Sequence, residues 1–369
     1  MSERLRAAIG TTSAREWLTT AKGLWDPGLR AAVDRLDPHM RRVAAYHFGW
    51  VDADGNPSDG SAGKGLRPGL ALLAAEALTA GAAPRPDGPG PDHPGPDNPA
   101  LPGAVAVELV HNFSLVHDDL IDRDEARHHR PTVWTVWDDT TAILVGDAML
   151  SLAHEELGLA GATGGSSYAV AAGLALTAAT RELIRGQAED VIFESRDDVT
   201  LEDCLGMVAG KTGSLLAVSA SIGAILAGAD QKTVDGFHTF GFELGLAFQI
   251  VDDLLGIWGA TEVTGKPVFA DLAAAKKTLP VVWSLDHGCD AGEQLREWFA
   301  RRTARSQADT EELQYAADLI EKAGGRAWAA EQADAHVSAA LAALEDLPIS
   351  DDGRATLTDL AHFVTERKS

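Results

Sequence analysis

Cysteine is nearly absent from this chain: two in 369 residues, Cys204 and Cys289, in no metal-like spacing. That scarcity argues against a disulfide framework or a thiolate zinc site and suits a reducing, cytoplasmic setting. Basic residues are also short, 31 Lys and Arg against 55 Asp and Glu, for a formal net charge of −24. Nucleic acid and anionic membrane surfaces repel such a chain, so neither is an expected partner. A polyanionic substrate would need a cation intermediary or a local basic patch. The charged start, MSERLRAAIGTTSAREW, lacks the apolar core of a signal peptide. Leucine-rich runs of spanning length are missing too. The uncharged stretches Gly158 to Thr180 and Thr212 to Ala229 are rich in Gly, Ala, Ser and Thr, and read as buried core helices rather than membrane spans.

Alternating β-branched stretches are scarce, whereas Ala and Leu recur and apolar residues return every three or four positions. The expected fold is all-α, a single large domain over residues 1–369. Residues 82–103 interrupt the pattern, with half of the 16 prolines gathered there. Proline at that density denies backbone donors to helix and strand, so this segment is expected to be a surface loop inserted between two helices.

Chemistry concentrates at the ends of two apolar helices. The segment Ala104 to Asp124, AVAVELVHNFSLVHDDLIDRD, reads as a helix that turns acidic at its C-terminal end. Asp118 and Asp122 are i,i+4 and share a face, with Asp119 beside them. Carboxylates there oppose the helix dipole and repel one another unless a cation neutralises them, and hard oxygen donors suit Mg²⁺ bridging to phosphate. Alone, a DDxxD in so acidic a chain is weak evidence, and a solvated acidic face explains it equally well. A second apolar helix, Thr239 to Leu255, ends in the same way with Phe248, Gln249, Asp252 and Asp253. Two such helices are expected to face each other across one metal cluster. Asp138 and Asp139 lack such a helix and read as a loop or helix cap.

Diphosphates also need cations from the protein. Short basic segments stand out: Lys64 and Arg67 in GKGLRP, Arg127 and Arg130 in ARHHRPT, Lys211 in GKTGS, and Lys266, Lys276 and Lys277 in TGKPV and AAAKKTLP. Arg grips phosphate oxygens in pairs and Lys acts as a point charge, though any one of these residues could be an ordinary surface cation. GKTGS lacks the leading GxxxxGK frame of a P-loop and no strand precedes it.

Taken in order, GKGLRP, HNFSLVHDDLID with RHHRPT, GQAED, GKTGS, FQIVDDLLG, and TGKPV through KKTLP span roughly Gly63 to Pro280. In this the chain resembles the trans-type polyprenyl diphosphate synthases, which include farnesyl and geranylgeranyl diphosphate synthases. The resemblance implies an isoprenoid-synthase bundle around a central cavity, a homodimer, three Mg²⁺ ions, and transfer of an allylic diphosphate's prenyl group to isopentenyl diphosphate. It implies Asp118, Asp122 and Asp252 as metal ligands, with Asp119, Asp253 and Gln187 or Asp190 in support. Arg127, Lys211 and Lys266 are similar to the family's grips on the allylic diphosphate. Lys64, Arg67 and His111 match its isopentenyl diphosphate site. Thr212 and Gln249 match residues whose oxygens lie near the developing allylic cation.

The pattern departs from the family in places. His128 stands where a second arginine is usual, and carries less charge near neutral pH. Gly256 replaces the third aspartate of the second acidic motif. Phe113 and Ser114, five and four positions before the first aspartate, match the positions that limit product length. One bulky and one small residue there imply geranylgeranyl diphosphate, with farnesyl diphosphate next. A diverged terpene synthase would need the aspartates but not Lys64, Arg67 and His111, and a non-catalytic subunit of a heteromeric synthase would have lost aspartates. The retained residues favour an elongating prenyl transferase.

Overall fold

A computed structural model describes residues 13–58, 60, 63–79, 98–164, 167–194, 196, 198–261, 267–287, 289–301 and 308–365. It is 79% helical, which bears out the all-α expectation. Most of the proline-rich segment 82–103, and Lys266, lie outside the described residues. The chain divides into two compact units: one of Met1–Ala178, Val218–His238 and Leu344–Leu360, the other of Ala179–Ala217, Thr239–Ala343 and Ala361–Ser369.

In the first unit, helices α1 (Ala14–Val33), α2 (Pro38–His47), α3 (Leu66–Thr79), α4 (Leu101–Ile121), α5 (Val133–Val136) and α6 (Asp139–Gly164) follow in order. Their starts are written in the sequence. Ser13 and Glu16 form a reciprocal capping box on α1, and Asp37 caps α2 ahead of Pro38. Asp138 accepts from Thr141 N at 2.7 Å and caps α6, as its sequence context suggests. Helix α4 begins at Leu101, three residues earlier than expected, because Pro102 is tolerated in a first turn. It is buried along most of its length and is packed against α1, α3 and α6, so it forms the unit's axis. Gly103 accommodates Ile222 and Leu226 of a later helix, α9 (Ser214–Ala227).

After α4 the chain makes a two-residue hairpin, Ala126–Arg127 paired with Arg130–Pro131. Its turn residues, His128 and His129, both have positive φ, 50° and 61°. Such turns favour Asn and Gly. Arg130 holds the hairpin, donating to Tyr46 O and Val51 O at 2.9 Å each and lying 4.4 Å above the Tyr46 ring. Its role here is structural.

The second unit takes the end of α7 (Ser167–Glu194), then α8 (Leu201–Val208), a π-helical turn at Ala209–Gly213, most of α10 (Gln231–Trp258), and α11 (Ala270–Ala273), α12 (Leu279–Asp286), α13 (Asp290–Ala300), α14 (Thr310–Ala323) and α15 (Gly325–Ala342). One apolar cluster joins Phe193, Val208, Ile250 and Leu279, and another joins Ile257, Leu272, Leu295 and Leu319.

The two long uncharged stretches fare differently. Leu201–Ala227 passes for a membrane span by length and composition, but 78% of its most apolar window is buried, as expected of a core helix. The stretch from Gly158 to Thr180 is not one buried helix. It is the end of α6 and the start of α7, and Leu159, Val170 and Leu174 are 45%, 64% and 69% exposed.

Candidate active site

In the first unit the acidic end of α4 is also where the helix stops. Asp122 is its C-cap, Arg123 follows in a left-handed conformation (φ 57°), and Asp124 N returns to Asp119 O at 2.9 Å. Burial divides the three aspartates. Asp119 is 2% exposed, and its Oδ1 accepts from Arg127 Nε at 2.7 Å. Asp118 and Asp122 are half-buried on a common face. Burial raises the Asp119 pKa to about 6 against the lowering pull of Arg127.

Two turns back along α4, Nη1 of Arg67 meets Nε2 of His111 at 3.2 Å. Guanidinium is always a donor, so this ring nitrogen accepts and the imidazole is neutral. Burial, then the charge of Arg67, hold His111 well below the usual histidine range. Around this pair lies a buried polar chain that sequence reasoning missed. Asn112 Nδ2 donates to Glu108 Oε1 at 3.1 Å, and Asn112 Oδ1 accepts from His47 Nε2 at 3.0 Å. Glu108 is pushed up by burial, opposed by Arg67. The available signal was a Glu and an Asn inside the apolar run AVAVELVHNF, where an unpartnered polar group would be costly. Lys64 is exposed, between Gly63 and Gly65, both at positive φ. Phe113 is buried edge-on to His117, centroids 5.5 Å apart, while Ser114 is half-buried and donates to His111 O at 2.7 Å. His128 sits exposed at the hairpin turn, its pKa lowered by partial burial and by Arg127.

In the second unit, the end of α10 repeats the division. Asp252 is exposed and Asp253 is 6% exposed. Asp253 accepts twice, from Gln249 Nε2 at 2.9 Å and from Leu279 N at 3.0 Å. Burial lifts it to about 7, beyond what those bonds offset. Gln249 Oε1 in turn accepts from Thr212 Oγ1 at 2.8 Å. Thr212 and Lys211 belong to the π-helical turn, so GKTGS is a local widening of a helix, a feature frequent at functional sites. Lys211 Nζ lies 2.6 Å from Asp190 Oδ2 of the GQAED segment. Gly186 of that segment lets α7 lie directly on this turn, because a Cβ there would strike the backbone nitrogen of Lys211. At Gly256, where a third aspartate is usual, a Cβ would press on the Asp271 carboxylate, which would have to shift. Lys277 Nζ reaches Phe193 O at 3.4 Å.

The donor chemistry fits a hard divalent cation. Of the aspartates in HDDLID and VDDLL, Asp118, Asp122 and Asp252 are the ones that are not buried. Among the described residues no three His, Cys, Asp or Glu side chains form a cage of their own. Mg²⁺ does not require one, because it keeps several waters and takes substrate phosphate oxygens alongside one or two carboxylates.

A helical fold whose apolar helices end in paired aspartates, with Arg127 against Asp119 and Lys211 against Asp190, is that of an isoprenoid synthase. The chain belongs to the polyprenyl synthetase family, whose model matches residues 57–318. It is a prenyl diphosphate synthase, a transferase of prenyl groups. It is 51% identical to a (2E,6E)-farnesyl diphosphate synthase of Mycobacterium tuberculosis over 352 residues, 95% of this chain and 93% of that one. A geranylgeranyl diphosphate synthase of Mycobacterium tuberculosis is 41% identical over 335 residues, 91% of this chain and 90% of that one. A crystal structure of polyprenyl synthetase from Streptomyces coelicolor superposes with a TM-score of 0.85 at 49% identity, covering 95% of this chain and 98% of that one. The family uses divalent metal ions.

Proposed function

We propose that this enzyme condenses isopentenyl diphosphate with an allylic diphosphate to give a linear all-trans product, geranylgeranyl diphosphate. Asp118, Asp122 and Asp252 would hold three Mg²⁺ ions. When bound, these supply the positive charge that neutralises a departing pyrophosphate. Arg127, Lys211 and Lys266 grip the allylic diphosphate, while Lys64, Arg67 and His111 receive isopentenyl diphosphate, with His128 at its edge. A neutral His111 suits that task as a directional hydrogen-bonding group, leaving the charge to Arg67 and Lys64. Thr212 and Gln249 present oxygen towards the allylic carbon as its C–O bond breaks. The isopentenyl double bond then attacks that carbon and a proton leaves to the released pyrophosphate. Holding both substrates makes the attack effectively unimolecular.

One observation carries the product length. Asp118 and Ser114 are i,i+4 on one face of α4, about 6 Å apart along its axis, so a prenyl tail descending from the aspartates crosses a small residue. Phe113 pairs instead with His117 on the flank and borders the path. The 51% identity to a farnesyl diphosphate synthase favours the second reading, a product one isoprene unit shorter. Purified enzyme with Mg²⁺, isopentenyl diphosphate and geranyl diphosphate decides between them by product mass. Twenty carbons supports our reading, and fifteen carbons as the end product replaces it with the second. Ser114→Phe should shorten the product. Unchanged length would remove Ser114 from the tail's path.

We further propose a cytoplasmic homodimer. The exposed Leu159, Val170 and Leu174 supply apolar surface of the kind that self-association covers.

A further inference from the structure

Thr212, Gln249, Asp253 and Leu279 form a hydrogen-bonded chain whose direction is set at one end. A backbone N–H can only donate, so Leu279 N commits Oδ2 of Asp253 as an acceptor at 3.0 Å. The other oxygen, Oδ1, takes the amide nitrogen of Gln249 at 2.9 Å. Acting as a carboxylate, with both oxygens accepting, Asp253 offers no proton to that amide, so it selects the Nε2 edge and turns Oε1 the other way. There Oε1 receives the hydroxyl proton of Thr212 at 2.8 Å. With its proton committed, the Thr212 oxygen keeps only lone pairs for anything else it meets.

We propose that Asp253 is a positioning residue which, through Gln249, fixes the polarity of the Thr212 hydroxyl so that lone pairs rather than a proton face the allylic cation. The inference rests on the reading that Thr212 and Gln249 border that cation. The alternative polarity is chemically accessible and harmful. If the Gln249 amide reversed, Nε2 would donate to Thr212 Oγ1, and the released hydroxyl proton would present the positive end of its dipole to a carbon that is becoming positive. Preorganised dipoles of the correct sign contribute strongly to catalysis in a water-poor site, because nothing needs to reorient as charge develops. Asp253 is itself buried and tied to the start of α12, so its carboxylate cannot swing to follow the amide. This separates it from its exposed neighbour Asp252: adjacent acids in one motif, one turned to solvent and one locked inside.

The test is a polarity reversal. Asp253→Asn is nearly isosteric, but its oxygen must stay on Leu279 N, so the new NH₂ group meets Gln249 and forces the amide over. We expect kcat to fall about 100-fold, the scale of losing one preorganised partner. KM for both diphosphates should stay within about threefold, since ground-state binding is untouched. Adding Gln249→Glu to Asp253→Asn restores an acceptor on both sides at the wild-type net charge, and kcat should recover at least about tenfold over the single variant. Gln249→Glu alone, with two carboxylates in contact, should be less active than this pair. Asp253→Asn at near wild-type kcat would overturn the inference. So would loss without rescue by the second change, since a metal ligand or a purely structural residue behaves that way. Thr212→Val separates the layers: full activity there would overturn the placement of Thr212 at the cation, whatever Asp253 does.

Discussion

Arg127 and Asp119 form a close ion pair, 2.7 Å from Nε to Oδ1, in which the acid's side chain is 3% exposed and the guanidinium 28%. Arg127→Gln would leave a buried carboxylate without its cation. Breaking a fully buried pair costs several kcal/mol, and the partial exposure of Arg127 reduces that to about 1 to 2 kcal/mol. Urea unfolding should report that loss, and the KM for the allylic diphosphate should rise at least about tenfold. Unchanged stability together with unchanged KM would show that the pair is incidental.

Asp118→Ala and Asp252→Ala should each abolish turnover in a protein that remains folded. Both side chains lie outside the core, and removing either relieves like-charge repulsion near its neighbouring aspartate. Melting temperatures without Mg²⁺ should therefore equal or exceed that of the wild type. Mg²⁺ added with a non-hydrolysable allylic analogue should stabilise the wild type more than the sum of the two separately, and this excess should vanish in both variants. Simple additivity in the wild type would contradict a shared metal and diphosphate site.

His47 gives the fold an acid-sensitive limb. Burial lowers its pKa from 6.5 to about 4, so the folded protein binds this proton later than the unfolded chain does. Its stabilising effect is complete above pH 6.5 and is lost as the pH falls towards 4, about 3 kcal/mol in all at roughly 1.4 kcal/mol per unit. His111, lowered by the same cause, adds in the same direction. Gln at position 47 can still donate to Asn112 but does not titrate, so His47→Gln should flatten the stability profile between pH 4 and 6.5. An identical acid limb would place the sensitivity elsewhere.

The hairpin turn invites a paired experiment at His128. A side chain at positive φ costs on the order of 1 kcal/mol, so His128→Gly should raise stability by about that amount. His128→Arg should lower the KM for isopentenyl diphosphate and make it less dependent on pH, because the lowered histidine pKa leaves the ring uncharged at neutrality. A KM indifferent to both changes would show that His128 does not touch that substrate.

Much of this could be read before any coordinates. The acidic ends of α4 and α10 were legible because apolar periodicity stops where the aspartates begin, and the Ser13–Glu16 capping box of α1 is written in residue type. Burial was not legible: Asp118 and Asp119 are adjacent and identical in letters, yet one is half-buried and the other is locked against Arg127. Nor was the hairpin, since His-His carries none of the Asn or Gly signal of such a turn and Arg130 holds it from outside. The stretch around Gly158 misled because uncharged small residues suit a buried helix and an exposed helix face alike. GKTGS became intelligible only as a π-helical turn, whose backbone widening has no residue signature of its own.

The central claim, that two diphosphates react together in one enzyme, is tested most directly by pyrophosphate release from an allylic diphosphate with and without isopentenyl diphosphate. We predict release that requires both substrates and matches, mole for mole, the formation of a longer linear diphosphate. Release at an equal rate from the allylic diphosphate alone, with a hydrocarbon or alcohol as the product, would contradict it.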